Sequence, residues 1–284
     1  MRSFGALVLA FVAFALDGAP LREVTLAPRN GVLRLAVTGD TGEGAEKVAA
    51  GIAHVHARQA LDAIVLTGDN FYPCGVTAPD DPRWSLVMPL TRIGVPVFPV
   101  LGNHDFCGRA DPDAQVGAPI ANWVFPGREY VVRGGIADFA FVDTDSFVKR
   151  RTSSLPLDEA FASSKARWRV VVGHHPVISS GWHGYFPRDE VRRMRGTIPT
   201  LRAVKADLFI AGHDHHVELI RGRMLHLISG AGSSPVPPLK LRLSTVYPPE
   251  IRRERIGFAV VELTAEKIRV RLYDAKGRAK SGWL

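Results

Sequence analysis

Cysteine is scarce in this sequence, with 2 in 284 residues, Cys74 and Cys107. No thiolate cluster can therefore compete for a metal ion. Long apolar runs are missing too. The longest, residues 4–16, has 13 residues, whereas crossing a bilayer takes about 20. No repeat or low-complexity tract divides the chain, and no Cys lies near its start to carry a lipid. Acidic residues are in deficit, 28 Asp and Glu against 36 Lys and Arg, giving a formal net charge of +8 and a pI near 9.8. That balance favours anionic partners, phosphate esters, nucleic acid and membrane surfaces among them. The basic residues are scattered, with local clusters only at Arg188–Arg195 and Arg252–Arg255. Both read as solvated surface, with a nucleic-acid or membrane face as the alternative.

What is present is an ordinary globular composition, 46% hydrophobic and 23% charged. Met1-Arg2-Ser3 followed by the apolar run has the form of a secretory signal. Residues 1–19 are expected to be that signal and residues 20–284 one domain, exported to the periplasm or secreted. Asp17 and Pro20 suit a cleavage site poorly, and a retained apolar segment is the alternative. Two cysteines fit an exported protein if they are paired.

An α/β (α+β) pattern runs through the chain. Strands are expected at Val32–Val37, Ala63–Leu66, Val97–Leu101, Tyr130–Arg133, Phe139–Asp143, Trp168–Val172, Leu208–Ala211, Val217–Ile220, Met224–Ser229, Phe258–Leu263 and Ile268–Tyr273. Helices are expected over Val48–Val55, near Trp84–Ile93, briefly at Asp158–Lys165, and over Arg188–Val204. Residues 111–127 read as a surface excursion. Two sheets flanked by helices are the simplest packing for that order.

Five of these strands end in Gly followed by Asp, Asn or His: Asp40, Asp69 with Tyr72 three residues on, Asn103, His174, and the pair His213 and His215. Singly, each is no more than a strand-end turn. Together they offer carboxylate, phenol, amide and imidazole, a ligand set for hard or borderline ions. Seven potential ligands exceed the needs of one ion. Two ions sharing Asp69, ~3.5–4 Å apart, would use them all and could clamp a phosphoryl group.

The motifs Gly39-Asp40-Thr41-Gly42, Gly68-Asp69-Asn70-Phe71-Tyr72, Gly102-Asn103-His104-Asp105, Gly173-His174-His175-Pro176 and Gly212-His213-Asp214-His215 resemble those of the calcineurin-like metallophosphoesterases. The likeness is greatest to the small, tartrate-resistant type of purple acid phosphatase, and it extends over residues 31–275. It implies a four-layer sandwich of two mixed β-sheets flanked by helices. It also implies that Asp40, Tyr72 and His215 hold a first ion with bridging Asp69, and that Asn103, His174 and His213 hold a second. Phenolate and carboxylates suit Fe³⁺ at the first position, while the more neutral set suits Fe²⁺, Zn²⁺ or Mn²⁺. His104, oriented by Asp105, and His183 are the expected substrate or acid residues. The sequence departs from the family at His175, where Tyr is usual, and at His216, where Asn is usual. Both are expected at the pocket rim. His54, His56 and His226 read as surface and packing residues.

The resemblance thus implies a secreted acid phosphatase that hydrolyses phosphate monoesters by in-line attack of a metal-bound hydroxide. Its partners would be small phosphorylated substrates, with no specific nucleic acid and no stable membrane anchor. A phosphodiesterase acting on nucleotides or phospholipid head groups is the rival within the family. A non-catalytic, basic anion-binding protein is the rival outside it. If Asp69 and Asn103 meet at one metal pair, their loops converge and Cys74 can reach Cys107; two separate thiols remain the alternative.

Overall fold

The computed structural model describes residues 21–186, 188–239, 245–246 and 256–284. The signal-peptide reading of residues 1–19 and the cluster Arg252–Arg255 lie outside them. The first strands in chain order are β1 (Arg22–Thr25), β2 (Leu33–Thr38), β3 (Ala63–Leu66), β4 (Val97–Pro99), β5 (Tyr130–Arg133), β6 (Ala137–Phe141) and β7 (Trp168–Val172). They continue with β8 (Leu208–Ala211), β9 (Val217–Ile220), β10 (Leu225–Ser229), β11 (Thr245–Val246), β12 (Gly257–Leu263) and β13 (Ile268–Asp274). The helices are α1 (Glu46–Arg58), α2 (Met88–Thr91), α3 (Thr144–Val148), α4 (Leu157–Phe161), α5 (Trp182–Tyr185), α6 (Asp189–Gly196) and α7 (Ile198–Ala203).

These strands form an 8-stranded sheet ordered β1-β5-β6-β7-β8-β10-β9-β11 and a 5-stranded sheet ordered β13-β12-β2-β3-β4. Side-chain alternation explains how they stack. In β6, Phe139 and Phe141 enter a core shared with Leu35 and Val37 of the smaller sheet, while Ala140 faces the other way. In β8, Leu208 and Ile210 likewise face the smaller sheet, and Phe209 and Ala211 meet Phe147, Met194 and Leu201 of α3, α6 and α7. A period of two therefore feeds two separate apolar layers. Helix α1 buries Val48, Ile52 and Val55 and packs on β12 and β13. The result is the expected four layers, helix, sheet, sheet, helix.

Both sheets are mixed. Strands β2, β3 and β4 run parallel, as do β6, β7 and β8, while β12 and β9 pair antiparallel with their neighbours. The parallel strands send their carboxyl ends to one edge, where α/β proteins place ligands.

Three local expectations are corrected, and one strand is added. Residues 111–127 are not a surface excursion, since Gln115, Trp123 and Phe125 are buried and the Trp123 indole donates to the Gln115 carbonyl at 2.9 Å. Residues 144–167 hold two short helices, α3 and α4, rather than at most one. The expected helix over Arg188–Val204 divides into α6 and α7, because Pro199 cannot continue the hydrogen-bond ladder of α6 and instead sits in the first turn of α7. Strand β1, which no periodicity marks, is held by parallel pairing to β5.

Candidate metal centre

Five parallel strands deliver their loops to that common edge, and the backbone there is bent hard. Asp40, Asp69 and His213 take φ of 54°, 51° and 65°, a left-handed conformation that costs a residue with a side chain roughly 1–2 kcal/mol. Small neighbours make the close approach possible. A Cβ at Gly102 would strike Asp69, and one at Gly212 would strike Asp40, so these two positions must be Gly for the loops to meet.

The side chains converge in two groups. In the first, the Tyr72 hydroxyl lies 3.3 Å from Asp40 Oδ1, 3.2 Å from Asp69 Oδ2 and 3.2 Å from His215 Nε2. In the second, His174 Nε2 lies 3.0 Å from Asn103 Oδ1 and 3.0 Å from His213 Nδ1. Asp69 stands between them, with Oδ2 toward Tyr72 and Oδ1 3.5 Å from His174 Nε2. All seven residues expected to bind metal thus meet in one place.

Outer contacts fix which nitrogen faces inward. His174 Nδ1 donates to the Thr67 carbonyl at 2.8 Å and His215 Nδ1 to the Ser234 carbonyl at 2.6 Å, leaving each Nε2 free to ligate. Asp40 accepts the His213 N–H at 3.0 Å through Oδ2, so only Oδ1 points at Tyr72.

Charge in the cluster is unbalanced. Asp40 and Asp69 are buried, and among the described residues no Lys or Arg pairs with either; their ion-pair contacts are all to histidines. Burial opposes a charge on His215, yet the Asp40 carboxylate at 3.3 Å carries its pKa up to about 9. His174, also buried, is raised by Asp69 and Asp40. Burial and the two carboxylates hold the Tyr72 phenol neutral far above its ordinary range. The buried carboxylates thus draw positive charge toward the cluster, and the oxygen-rich donor set fits hard divalent or trivalent ions. Asp40, Asp69 and His174 each offer a ligand atom within 4.8 Å of the others, as do His175, Glu190 and His213.

The expected catalytic residues fall on either side. His104 is open to solvent, its Nδ1 donating to the Pro73 carbonyl at 2.7 Å and its Nε2 4.0 Å from Asp69 Oδ2. Asp105 does not orient it. That carboxylate is fully buried and accepts from the backbone N–H groups of Gly102 and Asn70 and from the Gln115 amide, at 2.8, 3.2 and 3.0 Å. It staples the Asn103 loop to the Asp69 loop, so the catalytic assignment of Asp105 gives way to a structural one. A Cys74–Cys107 disulfide joins the same two loops, with the Cα atoms 5.2 Å apart.

His183 lies over the second group, its ring 3.9 Å from that of His213. Its backbone is anchored by Asp214, which accepts the N–H of His183 and of Gly184 at 2.8 and 3.1 Å. Sequence reasoning missed Glu190, whose Oε1 lies 3.4 Å from His183 Nδ1, 3.8 Å from His213 Nε2 and 3.9 Å from Arg188. The hydrogen bond from His183 and the nearby imidazole of His213 hold its carboxyl well below the usual carboxylate range. Only the fold brings Glu190 there, so no spacing rule marks it. The basic cluster is likewise spent on structure: Arg192 pairs with Asp189, Arg193 donates to the Phe147 carbonyl and Arg195 to the Gly184 carbonyl.

His175 and His216 are not at a rim; each is 2% exposed. Thr144 Oγ1 accepts the backbone N–H groups of His174 and His175, so its own proton goes to His175 Nδ1 at 3.0 Å. His175 Nε2 therefore carries the ring proton on the side of Glu190 and His213. His216 pairs with Glu218 at 3.0 Å, and Glu218 accepts the Ser180 N–H at 2.7 Å, bracing the loop that leads to His183. His226 is buried in β10, and His56 accepts the Leu61 N–H at 3.1 Å; neither reaches the centre.

Comparisons with known proteins agree with this geometry. The family model described as calcineurin-like phosphoesterase matches residues 33–217. Purple acid phosphatase 3 of Arabidopsis thaliana is 29% identical over 89% of this chain and 78% of its own. Tartrate-resistant acid phosphatase type 5 of Sus scrofa is 26% identical over 77% of this chain and 74% of its own. Among solved structures, GAP50, the anchor in the inner membrane complex of Plasmodium, superposes with a TM-score of 0.71 at 23% identity, covering 90% of this chain and 88% of that one.

Proposed function

Because this chain belongs to the calcineurin-like phosphoesterase family and is related to purple acid phosphatases, we propose that it is a binuclear-metal acid phosphatase acting on small phosphate monoesters. The observation that carries this is the split of Asp69, whose two oxygens face two different donor groups. A single structural ion would need only one of those groups. The same fold serves an anchor in Plasmodium, so fold alone does not argue for catalysis; the filled donor set does.

In this reading Asp40, Tyr72 and His215 would hold Fe³⁺, Asn103, His174 and His213 would hold Fe²⁺, Zn²⁺ or Mn²⁺, and Asp69, with an oxygen toward each group, would serve both. When bound, the ions supply Lewis acidity toward phosphoryl oxygens and acidify a water. The remaining work falls to the chain. His104 Nε2 faces the centre beside Asp69 and binds a phosphoryl oxygen. His183, its Nδ1–H directed at Glu190, keeps Nε2 for the leaving oxygen and gives up its proton there. Glu190 stays ionised and supports the imidazolium that precedes that transfer. Export, through a signal at residues 1–19, fits the disulfide.

Metal analysis and a visible spectrum of purified protein, with a screen of monoesters against diesters, test the proposal. Iron with a charge-transfer band that Tyr72→Phe abolishes, and turnover of monoesters at acid pH, are the expected results. Iron-free, colourless and active protein would overturn the purple assignment, and a preference for diesters would transfer the site to the rival reading.

A further inference from the structure

Among the described residues the large apolar side chains most open to solvent are Trp182, Phe186, Val236 and Leu239, which are 48%, 37%, 54% and 48% exposed. Scattered singly, such residues mean little, but these four lie in two segments on one flank of the metal centre. Trp182, Val236 and Leu239 line a cavity of about 220 Å³ whose other wall contains His183, His213 and His215. Phe186 backs the wall, its ring 4.6 Å from that of Trp182.

The shelf is fixed in place. Val236 N–H donates to the His215 carbonyl at 2.7 Å and Leu239 N–H to the Ser180 carbonyl at 3.0 Å, so the two segments are tied to the loops that carry the site. The surface it offers is mostly apolar. The carboxylate lining it, Asp214, has both oxygens engaged by backbone N–H groups, and the Arg188 guanidinium lies 5.6 Å from the Trp182 ring.

We propose that this shelf is the leaving-group subsite, and that it selects phosphate monoesters bearing an apolar substituent the size of one ring or a short alkyl chain. The inference rests on the phosphomonoesterase reading above. Because the cavity is continuous with the side of the centre where His183 stands, the group departing toward His183 is the group that enters it. Its volume sets the size, since benzene fills an engineered cavity of about 150 Å³. A polar substituent lying against Val236, Pro237 and Leu239 would lose water without gaining a side-chain partner there.

The test compares kcat/KM for alkyl monoesters whose leaving groups have similar basicity, hexyl and 2-phenylethyl phosphate against glycerol phosphate. Wild-type protein should prefer the apolar esters by about 10-fold or more, the scale on which apolar pockets discriminate. Trp182→Ala and, from the other segment, Leu239→Ser should each shrink that ratio several-fold. Two variants guard against loss of fold, and the ratio guards against a general loss of rate. Equal efficiency for all three esters in the wild type, or a ratio that survives both substitutions, would overturn the subsite while leaving the phosphatase reading intact. Failure to hydrolyse any ester would sink that reading itself. If the wild type binds phosphatidylserine vesicles and Trp182→Ala does not, with the ester ratio unchanged, the shelf faces a membrane surface and the subsite is likewise overturned.

Discussion

The two halves of the centre use a similar number of donors and differ in charge. Around Tyr72, two buried carboxylates and a phenol surround one imidazole, and Asp40 draws that imidazole, His215, up to about 9. Around His174, an amide and two imidazoles share only one oxygen of Asp69, and burial takes His213 down to about 4. The first half is incomplete without positive charge, whereas the second is close to neutral as it stands. A highly charged ion therefore suits the first half, and the second must rely on outer groups such as Glu190 for its grip.

Removing Asp69, which faces both halves, should erase the distinction. Asp69→Ala deprives both halves of their common anion, and turnover should fall by more than the ~10²-fold typical of losing an outer partner. Metal content measured beside activity checks the cause: retention of two ions with near-normal turnover would show that Asp69 does not bridge. His183→Ala acts on the second half alone. It should slow alkyl esters by roughly 10²–10⁴-fold and activated aryl esters much less, since help from an acid matters most for a basic leaving group. Equal slowing of both, with the change confined to KM, would make His183 a binding residue.

The contrast between the halves is written in residue types, and residue types are legible in the sequence itself. Gly followed by Asp, Asn or His after an apolar strand marks a ligand loop because only a strand's carboxyl end can aim several such turns at one point. The strands are legible through continuous apolar runs such as Ala63–Leu66, buried along their whole length. What the sequence hides is everything that depends on a contact between distant segments. Gln115 supports Asn70 and Asp105 from a stretch that looks like loop, accepting from the Asn70 amide and donating to the Asp105 carboxylate, each at 3.0 Å. Asp105 follows His104 in sequence yet turns away from it, because a short 3₁₀ turn at Asn103–Phe106 sends consecutive side chains in different directions. His175 and His216 look like rim residues by their place in the motifs, but the strands they follow are covered by α3 and by the loop that leads to His183.

Glu190 offers the finest probe of the difference between the halves, because it touches the second and not the first. Its carboxylate sits 3.8 Å from His213 Nε2, the nitrogen turned away from the ligand cluster, and 3.4 Å from His183 Nδ1. A carboxylate behind a ligating imidazole raises its basicity and fixes its orientation, and losing such a partner costs about 10–100-fold in metal affinity. Glu190→Gln keeps the shape and removes the charge. It should weaken the more weakly held ion by about that factor, leave the first ion in place, and reduce turnover of alkyl esters more than of aryl esters. Asp189→Asn, one residue earlier on α6 and paired with Arg192 at the surface, is the matched control. A role confined to packing would lower the melting temperature of Glu190→Gln with no change in either affinity. Competition between the protein and a chelator, read separately for the two ions, distinguishes the cases: equal weakening of both ions would show that Glu190 acts on the whole centre, and no weakening would leave His213 to bind without it.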